Sequence, residues 1–139
     1  MTIKTTRIEK KTQGFSDVID ITDDVESSIY QSRVKNGIAT VFIPGSTGAV
    51  TTVEYEPGLK EDIPEFMEKI LPQDAYYHHN ETWADGNGFS HMRAALFGPS
   101  ITIPFENGKL TLGTWQQIVL LDFDAQPRTR RIIIQIMGE

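Results

Sequence analysis

The sequence predicts an α+β fold whose β-sheet is mostly antiparallel and sandwich-like, with two main helices and one short helix. Three observations predict it: β-branched runs recur along the chain, the last third is strand-like throughout, and two segments have the apolar spacing of helices. The 139 residues are enough to bury a core and match the commonest domain size. We therefore expect one domain over residues 1–139.

The first third is predicted to contain three strands and a helix. Residues 2–10 alternate loosely and carry many charges, which is typical of an edge strand, and residues 18–21 form a second short strand. Thr22 is then the expected N-cap of a helix that ends at Asn36 and Gly37. Residues 38–43 are almost continuously apolar, so we expect a central strand that is covered on both faces.

A second helix is expected after a strand over residues 49–55. Apolar residues recur at helical spacing from residue 63 to residue 71, and Asp62 with Glu65 has the spacing of a capping box. Pro64 would then lie in the first turn, where proline is tolerated, and Pro72 ends the helix.

The last third is predicted as four strands, after a long polar loop with a short helix. Residues 101–105 and 109–112 flank Asn107 and Gly108, and an Asn-Gly pair between two strands is a strong hairpin signal. Residues 115–123 and 131–137 are expected to pair as the last hairpin.

Composition excludes several classes of function. The chain has no cysteine, so it contains neither disulfides nor thiolate ligands or nucleophiles. Its net charge of −6 disfavours a nucleic-acid partner, since proteins that bind phosphate backbones present a basic surface. No apolar run reaches the length of a membrane span, so we expect no membrane partner and a cytoplasmic protein.

All three histidines fall in one window, residues 77–91. His78, His79 and His91 are accompanied there by Asp85 and Asn87. Imidazole and carboxylate groups bind zinc, manganese or iron, and they also serve acid–base chemistry near neutral pH. The alternative is a turn-rich loop whose histidines cap helices or face solvent. In an extended segment His78 and His79 point in opposite directions, so one of the two is expected to face a site.

Other polar residues are candidates for ligand binding. In the loop of residues 44–48, Ser46, Thr47 and the backbone N–H groups could cradle a phosphate. Glu54 and Glu56 share one face of a strand, as ligands or bases or simply as solvated side chains. Trp115 is expected in the core. Four arginines could receive a small anion or be solvated at a strand end, namely Arg93, Arg128, Arg130 and Arg131.

Several motifs together resemble the YjbQ-like family, known as secondary thiamine-phosphate synthases. They include residues 83–91, the run Gly113-Thr114-Trp115-Gln116 and the ending Gly138-Glu139, and the loop at residues 44–47 resembles that of archaeal-type members. The resemblance covers nearly the whole chain and implies a homotrimer of an α/β fold rich in antiparallel sheet. It implies a polar pocket formed by His79, Asp85, Asn87, His91 and Glu54, together with Thr114 and Gln116.

The first functional hypothesis is an enzyme that joins a pyrimidine-methyl diphosphate to a thiazole phosphate. His79, His91 and Asp85 would then contact a divalent metal or the diphosphate, with His79 and His91 as metal ligands. Ser46 and Thr47 would bind phosphate, and Glu54 would orient the ligand. The alternatives are a non-catalytic binding protein for a phosphorylated metabolite or a metal ion, and a metal-dependent hydrolase. Many relatives carry histidine where Gly45, Ala84 or Phe89 stands here, and each difference removes a possible ligand.

Overall fold

Two antiparallel sheets form the framework of the protein, in a computed structural model that describes residues 1–139. The first sheet has five strands in the order β1 (Thr2–Thr12), β8 (Arg128–Gly138), β3 (Gly37–Phe42), β5 (Ser100–Glu106) and β6 (Lys109–Leu110). The second has three, in the order β2 (Asp17–Asp20), β7 (Gln117–Asp122) and β4 (Gly48–Val53). All pairings are antiparallel, so the predicted fold class is confirmed.

The main core lies between the two sheets. Alternate residues of β8, including Ile132, Ile134 and Ile136, are completely buried because every second side chain of a strand points to the same face. They belong to one cluster with Leu120 of β7 and Val50 of β4. Each such side chain contributes about 1.5–3 kcal/mol when it is fully buried. The packing of the two sheets against each other therefore contributes much of the stability.

Four helices complete the fold: α1 (Thr22–Ser32), α2 (Pro57–Ile70), α3 (His78–Trp83) and α4 (Gly88–Phe97). Helix α1 adds Val25 and Ile29 to the main core. Helices α2 and α4 cover the other face of the three-stranded sheet, where Met67 and Ala94 join a second cluster with Leu121. None of the four helices is both long enough and apolar enough to cross a membrane.

The ends of α1 differ from the prediction. Thr22 is the first helical residue rather than the N-cap, which is Ile21. The carboxylate of Asp20 accepts hydrogen bonds from the backbone N–H and the hydroxyl of Thr22, so an aspartate outside the helix does the work expected of Thr22. The helix ends at Ser32 because Arg33 takes a left-handed conformation (φ 63°), well before Gly37.

Helix α2 starts earlier than predicted. Its N-cap is Glu56, whose carboxylate accepts hydrogen bonds from the N–H groups of Gly58 and Leu59, and Pro57 occupies the first turn. Asp62 and Glu65 therefore form no capping box, and Pro64 lies inside the helix. A proline at N1 has its φ already set for a helix, which favours this earlier start.

Two strand predictions were wrong. Strand β3 is central, but it is covered on one face only: Ile38 and Phe42 on the other face are 39% and 38% exposed, because no helix packs there. Strands β7 and β8 do not form a hairpin, since β7 pairs with β2 and β4 whereas β8 pairs with β1 and β3. Residues 123–127 instead cross from one sheet to the other. The predicted Asn-Gly hairpin is confirmed between β5 and β6.

Candidate functional site

The histidine window forms two helices rather than a polar loop with one short helix. Helix α3 carries His78 and His79, and α4 carries His91. The side-chain oxygen of Asn80 accepts a hydrogen bond from the N–H of Gly88 at 2.9 Å. A side chain at Gly88 would collide with Tyr77, so a glycine is required where the two helices meet. This tight junction brings His79 and His91 together.

His79 and His91 are in contact, with ring centroids 4.2 Å apart and planes tilted by 39°. The nearer carboxylate oxygen of Asp85 lies 3.4 Å from Nδ1 of His79, and this buried nitrogen makes no hydrogen bond within the chain. His78 lies apart, with its exposed ring near the Tyr76 hydroxyl. The structure thus groups His79, His91 and Asp85 and leaves His78 at the surface.

The pKa of His91 lies below its ordinary value of 6.5. Burial is the largest cause, and repulsion from His79 acts in the same direction, whereas Asp85 and Asp124 oppose both. At pH 7 the ring is therefore mainly neutral, with one nitrogen available to donate a hydrogen bond and the other to accept one.

The side chains around His79 and His91 form an incomplete set of ligands for a resident metal ion. Catalytic zinc sites use three protein ligands; His79, His91 and Asp85 lie near one another, but they do not form such a ligand set, and no other group of the chain does. The unpaired Nδ1 of His79 already faces Asp85. The residues present do not fit a catalytic zinc ion held by this chain alone.

A buried ion pair links β7 and β8 beside the loop that precedes β4. Asp122, at the end of β7, is completely buried and accepts hydrogen bonds from Nε and Nη2 of Arg130 at 2.7 and 2.9 Å. It also accepts one from the hydroxyl of Thr12. Burial by itself would raise the pKa of Asp122, but the hydrogen bonds from Arg130, Thr12 and the backbone hold that pKa below its ordinary value.

A second buried carboxylate connects this pair to the loop and to α4. Asp124 accepts hydrogen bonds from the Thr47 hydroxyl at 2.9 Å and from the Asn87 amide at 3.4 Å, and it forms an ion pair with Arg128 at 2.9 Å. The Thr47 hydroxyl also accepts a hydrogen bond from Arg130. Thr47 was predicted to bind phosphate and Asn87 to belong to a polar pocket; in the structure the side chains of both form hydrogen bonds within the chain.

Ser46 and His91 face a common cavity of about 320 Å³. It lies between the loop that precedes β4 and one face of α4. The other lining residues are small or apolar: Gly45, Gly48, Ala94, Ala95, Gly98 and Pro99. The cavity therefore combines a hydroxyl, an imidazole and close access to backbone.

The remaining predicted site residues lie at the other end of the three-stranded sheet. Gly48 pairs with Asp122 at the first end and Val53 with Gln117 at the second, about 17 Å away at some 3.3 Å per residue. Glu54 and Thr114 are exposed at this second end. Gln116 donates to the Thr52 hydroxyl and accepts from a backbone N–H. Within one chain these three residues are not brought to His91.

Three further predictions need correction. Trp115 is 72% exposed and does not lie in the core, because it precedes β7 in a turn. Arg93 is no anion receptor: it is fully buried, and all three guanidinium nitrogens donate within the chain, to Leu71, Ser16 and Glu68. The carboxylate of Glu56 is occupied as the cap of α2.

Sequence reasoning missed Asp122 and Asp124 altogether. An acidic residue directly after an apolar strand suggests a solvated strand end. The available signal was the density of charge: two carboxylates and two arginines, Arg128 and Arg130, alternate with other residues at the crossing between the sheets.

The chain is similar to known proteins over nearly its whole length. Residues 6–139 match the family model described as UPF0047 protein YjbQ-like. The chain is 46% identical to a UPF0047 protein of Archaeoglobus fulgidus over 127 residues, which cover 91% of this chain and 96% of that protein. Among crystal structures, a hypothetical protein of Aeropyrum pernix K1 has 34% identity and a TM-score of 0.91, covering 98% of this chain and 99% of that one. A YjbQ/UPF0047-family protein of Clostridium acetobutylicum has 38% identity and a TM-score of 0.87, covering 95% and 99%.

Proposed function

Since the chain belongs to the UPF0047 YjbQ-like family, as its resemblance to archaeal-type members predicted, we propose that it binds a small phosphorylated molecule beside His91 and Ser46. In that site it joins a pyrimidine-methyl diphosphate to a thiazole phosphate. The observation that carries the proposal is the cavity itself, which is lined by His91 of α4 and by Ser46 and two glycines of the loop that precedes β4.

The reaction needs charge neutralisation more than proton transfer. The bond between the methylene carbon and the diphosphate oxygen breaks, and its electron pair leaves with the diphosphate. The lone pair of the thiazole nitrogen forms the new carbon–nitrogen bond, so no proton changes place. Hydrogen-bond donors near the leaving oxygen stabilise its developing charge. His91 is suited to this role because its neutral ring donates one hydrogen bond, as Ser46 also does.

The size of the cavity favours one small ligand. Its volume of about 320 Å³ is near the lower end of the range for ligand sites, roughly 300–1,000 Å³. The diphosphate substrate would occupy it, and the thiazole phosphate would approach from the open side. A divalent ion enters this proposal only as the companion of the diphosphate, because Mg²⁺ is commonly bound through substrate phosphates with few protein ligands.

We also propose a homotrimer in the cytoplasm. Exposed apolar residues on the outer face of the five-stranded sheet, Ile3, Ile38 and Phe42, favour association. Sedimentation velocity tests the trimer, and a monomer at micromolar concentration would contradict it.

The test of function is product formation by the purified protein. The protein is incubated with both substrates and Mg²⁺, and thiamine phosphate is measured by chromatography. His91→Ala should abolish product, whereas His78→Ala should retain it because the exposed His78 ring lies outside the cavity. Calorimetric binding of the diphosphate substrate without product would instead favour the binding-protein alternative. If the folded protein neither binds the diphosphate nor forms product, the proposal is refuted.

A further inference from the structure

The geometry points to Arg130 as the residue that holds the phosphate group, through its Nη1 nitrogen alone. The ligand in this inference is the phosphorylated molecule of the proposed function, so the inference rests on that proposal. The sequence places Arg130 among four arginines that could receive a small anion, and the structure singles it out from the others.

Two of the three nitrogens of Arg130 are already occupied. Nε donates to Asp122 at 2.7 Å, and Nη2 donates to Asp122 at 2.9 Å and to Thr47 at 2.7 Å. These bonds hold the guanidinium plane in one orientation, with the side chain only 8% exposed. Nη1 takes part in none of the hydrogen bonds of the group. A nine-tenths buried guanidinium thus retains one unused nitrogen that is fixed in direction.

The unused nitrogen lies directly behind the cavity wall. A Cβ at Gly45 would sit 3.2 Å from Nη1, and a Cβ at Gly48 would sit 3.6 Å from Cζ. Both glycines line the cavity that His91 and Ser46 face. No other atom, apart from those of the neighbouring residues, lies within 4 Å of the missing Gly45 Cβ, so a ligand oxygen in van der Waals contact with the Gly45 Cα on that side would lie within hydrogen-bond reach of Nη1.

This arrangement selects the class of ligand. Arg130 cannot grip an anion with two parallel N–H groups, because Nε and Nη2 are occupied, so it offers a single charge-assisted hydrogen bond. Asp122 already balances the positive charge of Arg130. The single contact from Nη1 therefore suits one oxygen of a phosphate whose other oxygens reach His91 and Ser46. A phosphate monoester or the end of a diphosphate presents oxygens in several directions, as three separated donors require.

Nuclear magnetic resonance of the arginine side chains tests the inference in the intact protein. Arg93 is the internal control, since it is also buried but all its guanidinium nitrogens donate within the chain. Inorganic phosphate and then diphosphate are added to arginine-labelled protein. A parallel titration with sodium acetate tests whether a carboxylate binds in the same way. We expect saturable shifts of the Arg130 signals with both phosphates, little effect of acetate and no shift of Arg93. Arg130 signals that do not respond, or that respond equally to acetate, would overturn the inference.

A pair of glycine variants gives a second test. Gly45→Ala places a methyl group against Nη1, whereas Gly108→Ala adds one at a position with positive φ where nothing lies within 4 Å. Loss of one charge-assisted hydrogen bond should weaken phosphate binding by roughly tenfold or more in Gly45→Ala. Gly108→Ala should bind as the unchanged protein does, and unchanged binding by a folded Gly45→Ala would refute the role of Nη1.

The two proposals fail in different ways. If phosphate shifts Arg130 but no thiamine phosphate forms, the reaction is wrong and the anion site stands. If product forms but phosphate does not shift the Arg130 signals, the proposed reaction stands and the proposed role of Arg130 is wrong. Should Gly45→Ala not fold, the resonance experiment alone decides.

Discussion

Replacement of Asp122 by asparagine tests whether the buried ion pair supports the junction of the two sheets. Asp122 is completely buried and accepts two hydrogen bonds from Arg130, one from Thr12 and one from the N–H of Asp124. Asparagine has the same shape, but it is neutral and presents N–H groups on one side. At least one donor of Arg130 or Thr12 would then face another donor, and the Arg130 charge would lose its counterion.

The expected cost is about 3–5 kcal/mol of unfolding free energy, the range for removal of one partner of a buried pair. The matched control is Glu9→Gln, which breaks the exposed cross-strand pair between Glu9 of β1 and Arg131 of β8, at 3.2 Å. These two side chains are 60% and 74% exposed, so the control should cost less than about 1 kcal/mol.

Urea unfolding of the unchanged protein, Asp122→Asn and Glu9→Gln at pH 7 measures both effects, provided that the slope of unfolding free energy against urea concentration is the same in all three. The pKa of Asp122 is lowered in the folded protein, so its contribution is complete above the unfolded pKa of about 3.9 and disappears as the pH falls through the folded value. The unfolding free energy of Asp122→Asn should therefore fall less at low pH than that of the unchanged protein. If Asp122→Asn cost no more than Glu9→Gln, the pair would not stabilise the junction.

Two further predictions concern His91 and Arg93. Because burial lowers the pKa of His91, its contribution to stability is complete above pH about 6.5 and declines as the pH falls through the lower folded pKa. Urea unfolding from pH 8 to pH 5 should show this decline and should show less of it in His91→Gln; an equal slope in the variant would assign the effect elsewhere. Arg93→Lys should cost about 2–3 kcal/mol, since lysine cannot reproduce the forked hydrogen bonds to the Leu71 carbonyl and Ser16. A change in the thermal midpoint too small to measure would contradict that role.

Local patterns predicted the elements better than their partners. The hairpin at Asn107 and Gly108 depends on two residues with positive φ, which the sequence states directly. The partner of β8 is set by distant chain instead: β8 pairs with β1 from Thr2↔Gly138 onward, so the two ends of the chain lie side by side. Nothing in the local sequence separates that arrangement from a hairpin of β7 with β8.

Helix α4 was missed for a related reason. Its buried residues Phe89, Ser90, Arg93 and Ala94 share one face, but two of them are polar, whereas Met92 and Leu96 outside that face are 48% and 58% exposed. A helix that buries polar residues and exposes apolar ones lacks the usual apolar stripe, so periodicity gives a weak signal. The clustering of His79, His91 and Asp85 was nevertheless predictable, because a short window limits how far apart its residues can lie.

The crossing between the sheets explains why a buried charge cluster lies at the cavity. Asp122 ends a strand of one sheet and Arg130 belongs to a strand of the other, so the chain that links the sheets also brings a carboxylate to a guanidinium. Thr47 and Asn87 then connect this pair, through Asp124, to the loop and to α4 that form the cavity walls. The bonds that hold the sheets together at this end are the bonds that fix the direction of Nη1 in Arg130. A change at Asp122 should therefore disturb ligand binding and stability together, whereas a change at Gly45 should affect binding without breaking the pair.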